Sequence, residues 1–117
     1  MQIKDFYTIE DLLKIMEELR AENGCPWDKV QTHDSIKYCA VEEAWEVIDA
    51  TDRKDDSMLK NELGDLLMQV VFHAQIGKED GSFTFDDVLY EICNKLITRH
   101  SHVSGVQIGR ASCRERV

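Results

Sequence analysis

Two acidic clusters stand inside apolar helical stretches of this 117-residue chain. Glu42-Glu43-Ala44-Trp45-Glu46 is flanked by Val41 and Ile48, and Glu62-Leu63-Gly64-Asp65 by Leu66, Leu67, Val70 and Val71, with a polar turn between the two. Residues three or four apart share a helix face, so each cluster can aim its acids at one point. On a wheel of about 100° per residue, Glu43 and Glu46 lie about 60° apart, and so do Glu62 and Asp65. Carboxylates crowded in this way repel one another unless a divalent cation sits among them, and ligation by oxygen alone suits Mg2+ or Mn2+. The competing reading is a pair of solvated helix faces in an acidic protein. The apolar flanks weigh against it.

The rest of the chain reads as helix. There is a single proline, glycines are few, and apolar residues recur at helical spacing. Thr8 with Asp11 is a capping signal ahead of Ile9, Leu12, Leu13, Met16 and Leu19, and that helix is expected to end near Asn23-Gly24. A loop through Pro26 and Trp27 then leads to a second helix, capped by Asp34 or Ser35 and running to about Asp52. A third helix, capped by Ser57, is expected to reach Ile76-Gly77, and a fourth, opened by Thr84 with Asp87, to reach about Arg99. The fold class expected is all-α: four helices, mostly antiparallel neighbours, in a bundle-like arrangement. Residues 1–102 read as one helical domain. Residues 103–117 lose the periodicity and read as a non-native or disordered tail.

Charge and cysteine usage narrow the function classes. The formal net charge is −9, and the segment after Val103 carries three arginines against one glutamate, so the helical body is more acidic still. Such a body should repel a polynucleotide, whose binding draws on clustered Lys and Arg. No apolar run is long enough to span a membrane and no signal segment opens the chain, so a cytoplasmic protein is expected. Cys25, Cys39, Cys93 and Cys113 form no CxxC pair, which argues against a disulfide framework or structural zinc. Cys39 and Cys93 are expected as small buried residues. No histidine has a glutamate three residues before it, which excludes the Glu-x-x-His signature of a di-iron bundle.

Taken in order, the motifs EExxE and ExxD resemble the MazG-type all-α nucleoside triphosphate pyrophosphohydrolases. The similarity runs from about Leu19 to His102 and includes Gly24-Cys25-Pro26-Trp27-Asp28, Gln31-Thr32-His33, Glu62-Leu63-Gly64-Asp65-Leu66-Leu67, Val71-Phe72-His73-Ala74 and Lys95-Leu96-Ile97 with Arg99-His100. The chain departs from the family's pattern at Ser101 and Ser104. The resemblance implies metal-dependent hydrolysis of a nucleoside triphosphate to the monophosphate and pyrophosphate, with Glu43, Glu46, Glu62 and Asp65 as metal ligands. It also implies assembly through the helices, as a homodimer or dimer of dimers. An alternative is a non-catalytic dimerisation or regulatory module of a tandem-domain protein.

Other residues are candidates on their own spacing. Glu42, one turn before Glu46, could deprotonate the attacking water, bind a second cation, or accept a hydrogen bond behind the ligands. Asp49 has the same ambiguity, with the surface reading ahead. Lys95 and Arg99, at i and i+4, could bind phosphates or be ordinary surface charge; Lys37 is a weaker candidate. Trp27 could stack on a base or cover the edge of the core. His33 and His100 are expected at the margin of the site, and His73 at a helix interface. No Ser-His-Asp or Cys-His nucleophile motif is evident, which fits direct attack by water.

Overall fold

Thr8, Thr32, Asp55 and Thr84 each accept a hydrogen bond from a backbone N–H three residues on, and so fix where four helices start. The computed structural model describes residues 1–100, and its regular structure is helical. The elements are α1 (Ile9–Leu19), α2 (His33–Ile36), α3 (Cys39–Asp52), α4 (Asp56–Asp80) and α5 (Phe85–Arg99). Thr8 and Thr84 make the expected capping boxes. The other two caps lie earlier than expected, at Thr32 rather than Asp34 or Ser35 and at Asp55 rather than Ser57, where the backbone is extended and the side chain accepts from the N–H three residues on. The helix expected over Asp34 to Asp52 is broken at Lys37-Tyr38 into a single-turn α2 and a longer α3.

The helix α1 stops at Leu19, short of the expected Asn23-Gly24. Beyond it the Cys25 N–H donates to the Leu19 carbonyl at 2.8 Å and the Gly24 N–H to Ala21 at 2.8 Å, which folds the chain back over the helix end. A Cβ on Gly24 would run into the carbonyls of Glu18 and Leu19, so the fold-back requires glycine there. Between α3 and α4 the turn is short: the Asp55 N–H reaches Ala50 O at 3.2 Å and the Lys54 N–H reaches Thr51 O at 3.0 Å, with Lys54 in the left-handed region at φ 55°. That turn sets α3 and α4 antiparallel.

The chain divides into two compact units, Met1–Ser82 and a second that begins at Phe83. In the first, α4 packs against α1, α2 and α3. Its core is Met16 from α1, Ile36 from α2, Ala50 from α3, and Val71, Phe72, Ala74 and Ile76 from α4. The second half of α4 is therefore the centre of the unit and is buried on several sides. In contrast to the mostly antiparallel arrangement expected, α1 runs parallel to α4: Arg20 pairs with Glu79 and Lys78 with Glu17, so the two C-terminal ends lie together. The long connection from Arg20 to Gln31 makes that possible by carrying the chain back before α2.

One side chain holds this connection. Arg20 donates to both carboxylate oxygens of Glu79, at 2.9 and 2.8 Å, and to the carbonyls of Asp28 and Gln31 at 2.6 and 3.0 Å. Its guanidinium lies over the Phe72 ring, 5.6 Å from the centroid, and its side chain is 6% exposed. Arg20 holds the Glu79 carboxyl below the usual glutamate range.

The second unit contributes α5, which has no buried residue; Leu89, Ile92, Leu96 and Ile97 are all exposed. Cys93 on α5 is exposed and Cys39 is half-buried, against the expectation that both are buried; no disulfide joins cysteines among the described residues. No helix among the described residues is long and apolar enough to cross a membrane. The tail expected over 103–117 lies outside the described residues.

Replacing Arg20 by Met should cost about 2 kcal/mol, because it strands two loop carbonyls and a carboxylate that is only partly in water. Glu79 has a lowered folded value, so its share is present at neutral pH and is lost as pH falls through the ordinary glutamate value of about 4.3 and below. Urea unfolding of both proteins should show a gap that narrows in acid. A gap that stays constant with pH would remove the ion pair from the account.

Candidate metal centre

The α3–α4 seam carries the acids. Glu43 from the second turn of α3 faces Glu62 and Asp65 from the second and third turns of α4, and one carboxylate oxygen from each lies within 4.8 Å of the other two. All three are half-buried. The geometry follows from the local sequence: an antiparallel hairpin closed at Arg53–Asp55 puts residues at matching distances from the turn side by side.

Electrostatics mark the same place. The Glu43 carboxyl is raised above the usual glutamate range, first by partial desolvation and then by repulsion from Asp65, Glu46 and Glu42. Glu62 is raised too, first by desolvation, then by Glu46, Asp65 and Glu43, with a hydrogen bond to Asp65 adding to it. Five acids thus act on one another across two helices. Glu46 is exposed and its oxygens fall outside the close trio, yet its charge bears on both Glu43 and Glu62. Glu42 is exposed and bears on Glu43. No Lys or Arg makes a salt bridge to Glu43, Glu62 or Asp65 among the described residues. A half-buried, all-oxygen cluster without a basic partner fits a hard divalent cation.

The remaining candidates divide. Lys37 is held by Asp34 at 2.8 Å and lies over the Tyr38 ring at 5.3 Å. Trp27 is 77% exposed on the α1–α2 connection, so it does not cover a core edge. Asp49 pairs with Arg53 at 3.0 Å, as its surface reading expected. Lys95 and Arg99 share one side of α5 in the second unit. The His100 ring bonds the Leu96 carbonyl at 2.7 Å, and His33 and His73 bond each other through Nδ1 at 2.8 Å. His73 is thus at a helix interface, as expected.

Sequence reasoning passed over Arg20 and Gln69. Arg20 follows directly on the apolar stripe of α1, and an arginine there is indistinguishable from an ordinary helix-end cation. Gln69 lies one turn after Asp65, 6% exposed, with Oε1 buried and without a hydrogen-bond partner in the structure. A lone glutamine in the apolar run from Leu66 to Phe72 was the available signal.

A family model described as the MazG nucleotide pyrophosphohydrolase domain matches residues 31–104, well over half of the chain and all of the α3–α4 acids. The chain belongs to this family. Among MazG relatives, a protein of Thermotoga maritima named nucleoside triphosphate pyrophosphohydrolase/pyrophosphatase MazG is 55% identical over 96 residues, 82% of this chain and 38% of that protein. An Escherichia coli K12 protein named nucleoside triphosphate pyrophosphohydrolase is 53% identical over 96 residues, 81% of this chain and 36% of that protein. The chain therefore spans less than two-fifths of the length of these MazG relatives. The fold is like that in the crystal structure of a MazG-related protein from Thermotoga maritima, with a TM-score of 0.68, 24% identity, and coverage of 91% of this chain and 90% of that one.

If the trio is a binding site, magnesium should raise the melting temperature of the parent protein, and Glu43→Gln should abolish that response. Without metal the variant should be at least as stable as the parent, since one like charge leaves the cluster. Equal magnesium responses in the two proteins would reduce the acids to a solvated face.

Proposed function

We propose that this MazG domain hydrolyses a nucleoside triphosphate between the α and β phosphorus atoms, releasing the monophosphate and pyrophosphate. The observation that carries the reading is the convergence of Glu43, Glu62 and Asp65 within 4.8 Å across the α3–α4 seam. The names of the MazG relatives support the substrate class.

In this reading Glu43, Glu62 and Asp65 hold Mg2+, with Mn2+ as the substitute, and Glu46 completes the set from the exposed edge. When bound, the cation would supply charge neutralisation at the phosphate oxygens and ease deprotonation of water. Glu42, exposed beside Glu43, is the proposed general base: its carboxylate takes the proton from the water that attacks phosphorus. Lys95 and Arg99 are proposed phosphate contacts from their shared side of α5, and Lys37 is a further one if it exchanges Asp34 for a phosphate. Trp27, with its ring open to solvent, is the proposed stacking surface for the base.

Turnover in heavy-oxygen water decides the reaction. Attack at the α phosphorus places the label in the monophosphate and leaves pyrophosphate unlabelled. Glu62→Gln and Asp65→Asn should each lower the rate by orders of magnitude, whereas Asp49→Asn should leave it nearly unchanged. Label in orthophosphate would mean a different phosphatase chemistry, and magnesium binding without turnover on any nucleotide would favour the non-catalytic regulatory module.

We also propose that the chain self-associates, as a homodimer or dimer of dimers. Val41, Trp45 and Ile48 on α3 and Leu63, Leu67 and Val70 on α4 remain exposed, as does the apolar stripe of α5. These exposed apolar side chains support an interface between copies of the chain. Sedimentation should find no monomer at micromolar concentration; a fully active monomer would overturn the assembly.

A further inference from the structure

The connection between α1 and α2 is tied at almost every step, although none of residues 21–31 is fully buried. The Cys25 N–H returns to the end of α1, the Lys29 N–H donates to the Cys25 carbonyl at 3.0 Å, and Lys29 Nζ donates to the Glu22 carbonyl at 2.9 Å. Trp27 belongs to this loop and is 77% exposed. An indole left in water adds little to the apolar burial that drives folding, so bonds that fix its backbone do not serve the core through that ring. They fix the place of a large aromatic face.

Gln31 is the residue that fixes it. Its side-chain amide nitrogen donates to the Trp27 carbonyl at 2.9 Å, and its side-chain oxygen accepts from the Ser35 hydroxyl at 2.7 Å. Because the Trp27 carbonyl can only accept, the orientation of the amide follows from its partner. The backbone N–H of Gln31 donates to the Asp28 carbonyl at 3.3 Å, and its backbone carbonyl accepts from Arg20 at 3.0 Å. All four polar atoms of Gln31 are thus engaged. The anchor at the far side is firm: the Thr32 N–H donates to Ser35 Oγ at 2.8 Å and the Ser35 N–H to Thr32 Oγ1 at 3.1 Å, which closes the capping box of α2. The helix α2 is docked by the buried Ile36 and passes through Lys37 and Tyr38 into α3, the helix of Glu42 and Glu43.

We propose that Gln31 is a positioning residue for the nucleobase: by fastening the Trp27 backbone to the start of α2, it holds the indole as a preformed stacking wall. The proposal rests on the reading of Trp27 as the surface on which the base stacks. The gain is preorganisation. An aromatic already in place loses little freedom when a base meets it, whereas one on a loose loop must first be ordered, and that cost lowers affinity. Gln31 makes no hydrogen bond to the acids of the α3–α4 seam among the described residues, so its effect falls on the base and not on the phosphates. A mere loop staple would treat ligands with and without a base alike.

The chain has two tryptophans, so Trp45→Phe in the full chain leaves Trp27 as the only indole signal. In that background, time-resolved fluorescence anisotropy should show Trp27 tumbling with the whole protein, and Gln31→Ala should add a fast local component. The probes for binding are triphosphates of adenosine, guanosine, cytidine and uridine with a methylene group between the α and β phosphorus atoms, and inorganic tripolyphosphate as the ligand without a base, all with magnesium. Analogues that bind should change Trp27 emission, and Gln31→Ala should weaken them about fivefold or more while leaving tripolyphosphate, followed by calorimetry, as in the parent. If Gln31→Ala does not fold, Ser35→Ala removes the hydroxyl bonded to the Gln31 side chain and carries the same comparison. Equal weakening of the analogues and tripolyphosphate, or a Trp27 equally mobile in parent and variant, would overturn the positioning role. Binding of the analogues with no change in Trp27 emission, or no binding of any of them, would overturn the stacking reading and the proposal with it.

Discussion

The burial of the second half of α4 is the constraint on which the rest of the first unit depends. Val71, Phe72, Ala74 and Ile76 supply most of the buried apolar side chains, and α1, α2 and α3 each add one residue against them. A helix enclosed on several sides has no solvent face on which to place charge. Asp56, Glu62 and Asp65 are accordingly confined to the first half, and Lys78, Glu79 and Asp80 to the last turn. The hairpin with α3 then determines which residues meet the first half, and those residues are acids as well.

Repulsion at the seam and attraction at the other end of α4 are two sides of one design. Arg20 neutralises Glu79, collects two loop carbonyls and covers Phe72, so a buried cation has four of its five N–H donors used. At the seam, Glu43, Glu62 and Asp65 have no salt bridge among the described residues, and the carboxyls of Glu43 and Glu62 are raised in consequence. Under the proposed function that cluster is kept for a divalent cation.

The histidine pair lies between these two regions along α4. Asp65, Gln69 and His73 follow one another at four-residue intervals, a polar line on a helix whose neighbouring positions are apolar. The line begins at the acid cluster and ends at His73, which meets His33 of α2.

Much of this was legible in the sequence. The pairing of Glu43 with Glu62 and Asp65 follows from two periodic stretches and a short turn, because helical spacing fixes azimuth and a short turn fixes the partner. The Thr8 and Thr84 caps were legible because a capping box is local. The break at Lys37-Tyr38 was not, since nothing in those two residues forbids helix and only the docking of Ile36 and His33 onto α4 separates α2 from α3. Glu46 was grouped with Glu43, Glu62 and Asp65 by the resemblance and by a helical spacing that agrees with it, whereas its distance from the trio depends on how the two helices are placed. The parallel course of α1 and the work of Arg20 belong wholly to the tertiary structure: both depend on contacts between residues about 60 apart in the chain, which local propensity does not encode. What the sequence by itself determined was the helical class, most of the helices and the acids they carry; where the chain breaks between α2 and α3, and which side chains the helices bring into contact, was decided only by packing around α4.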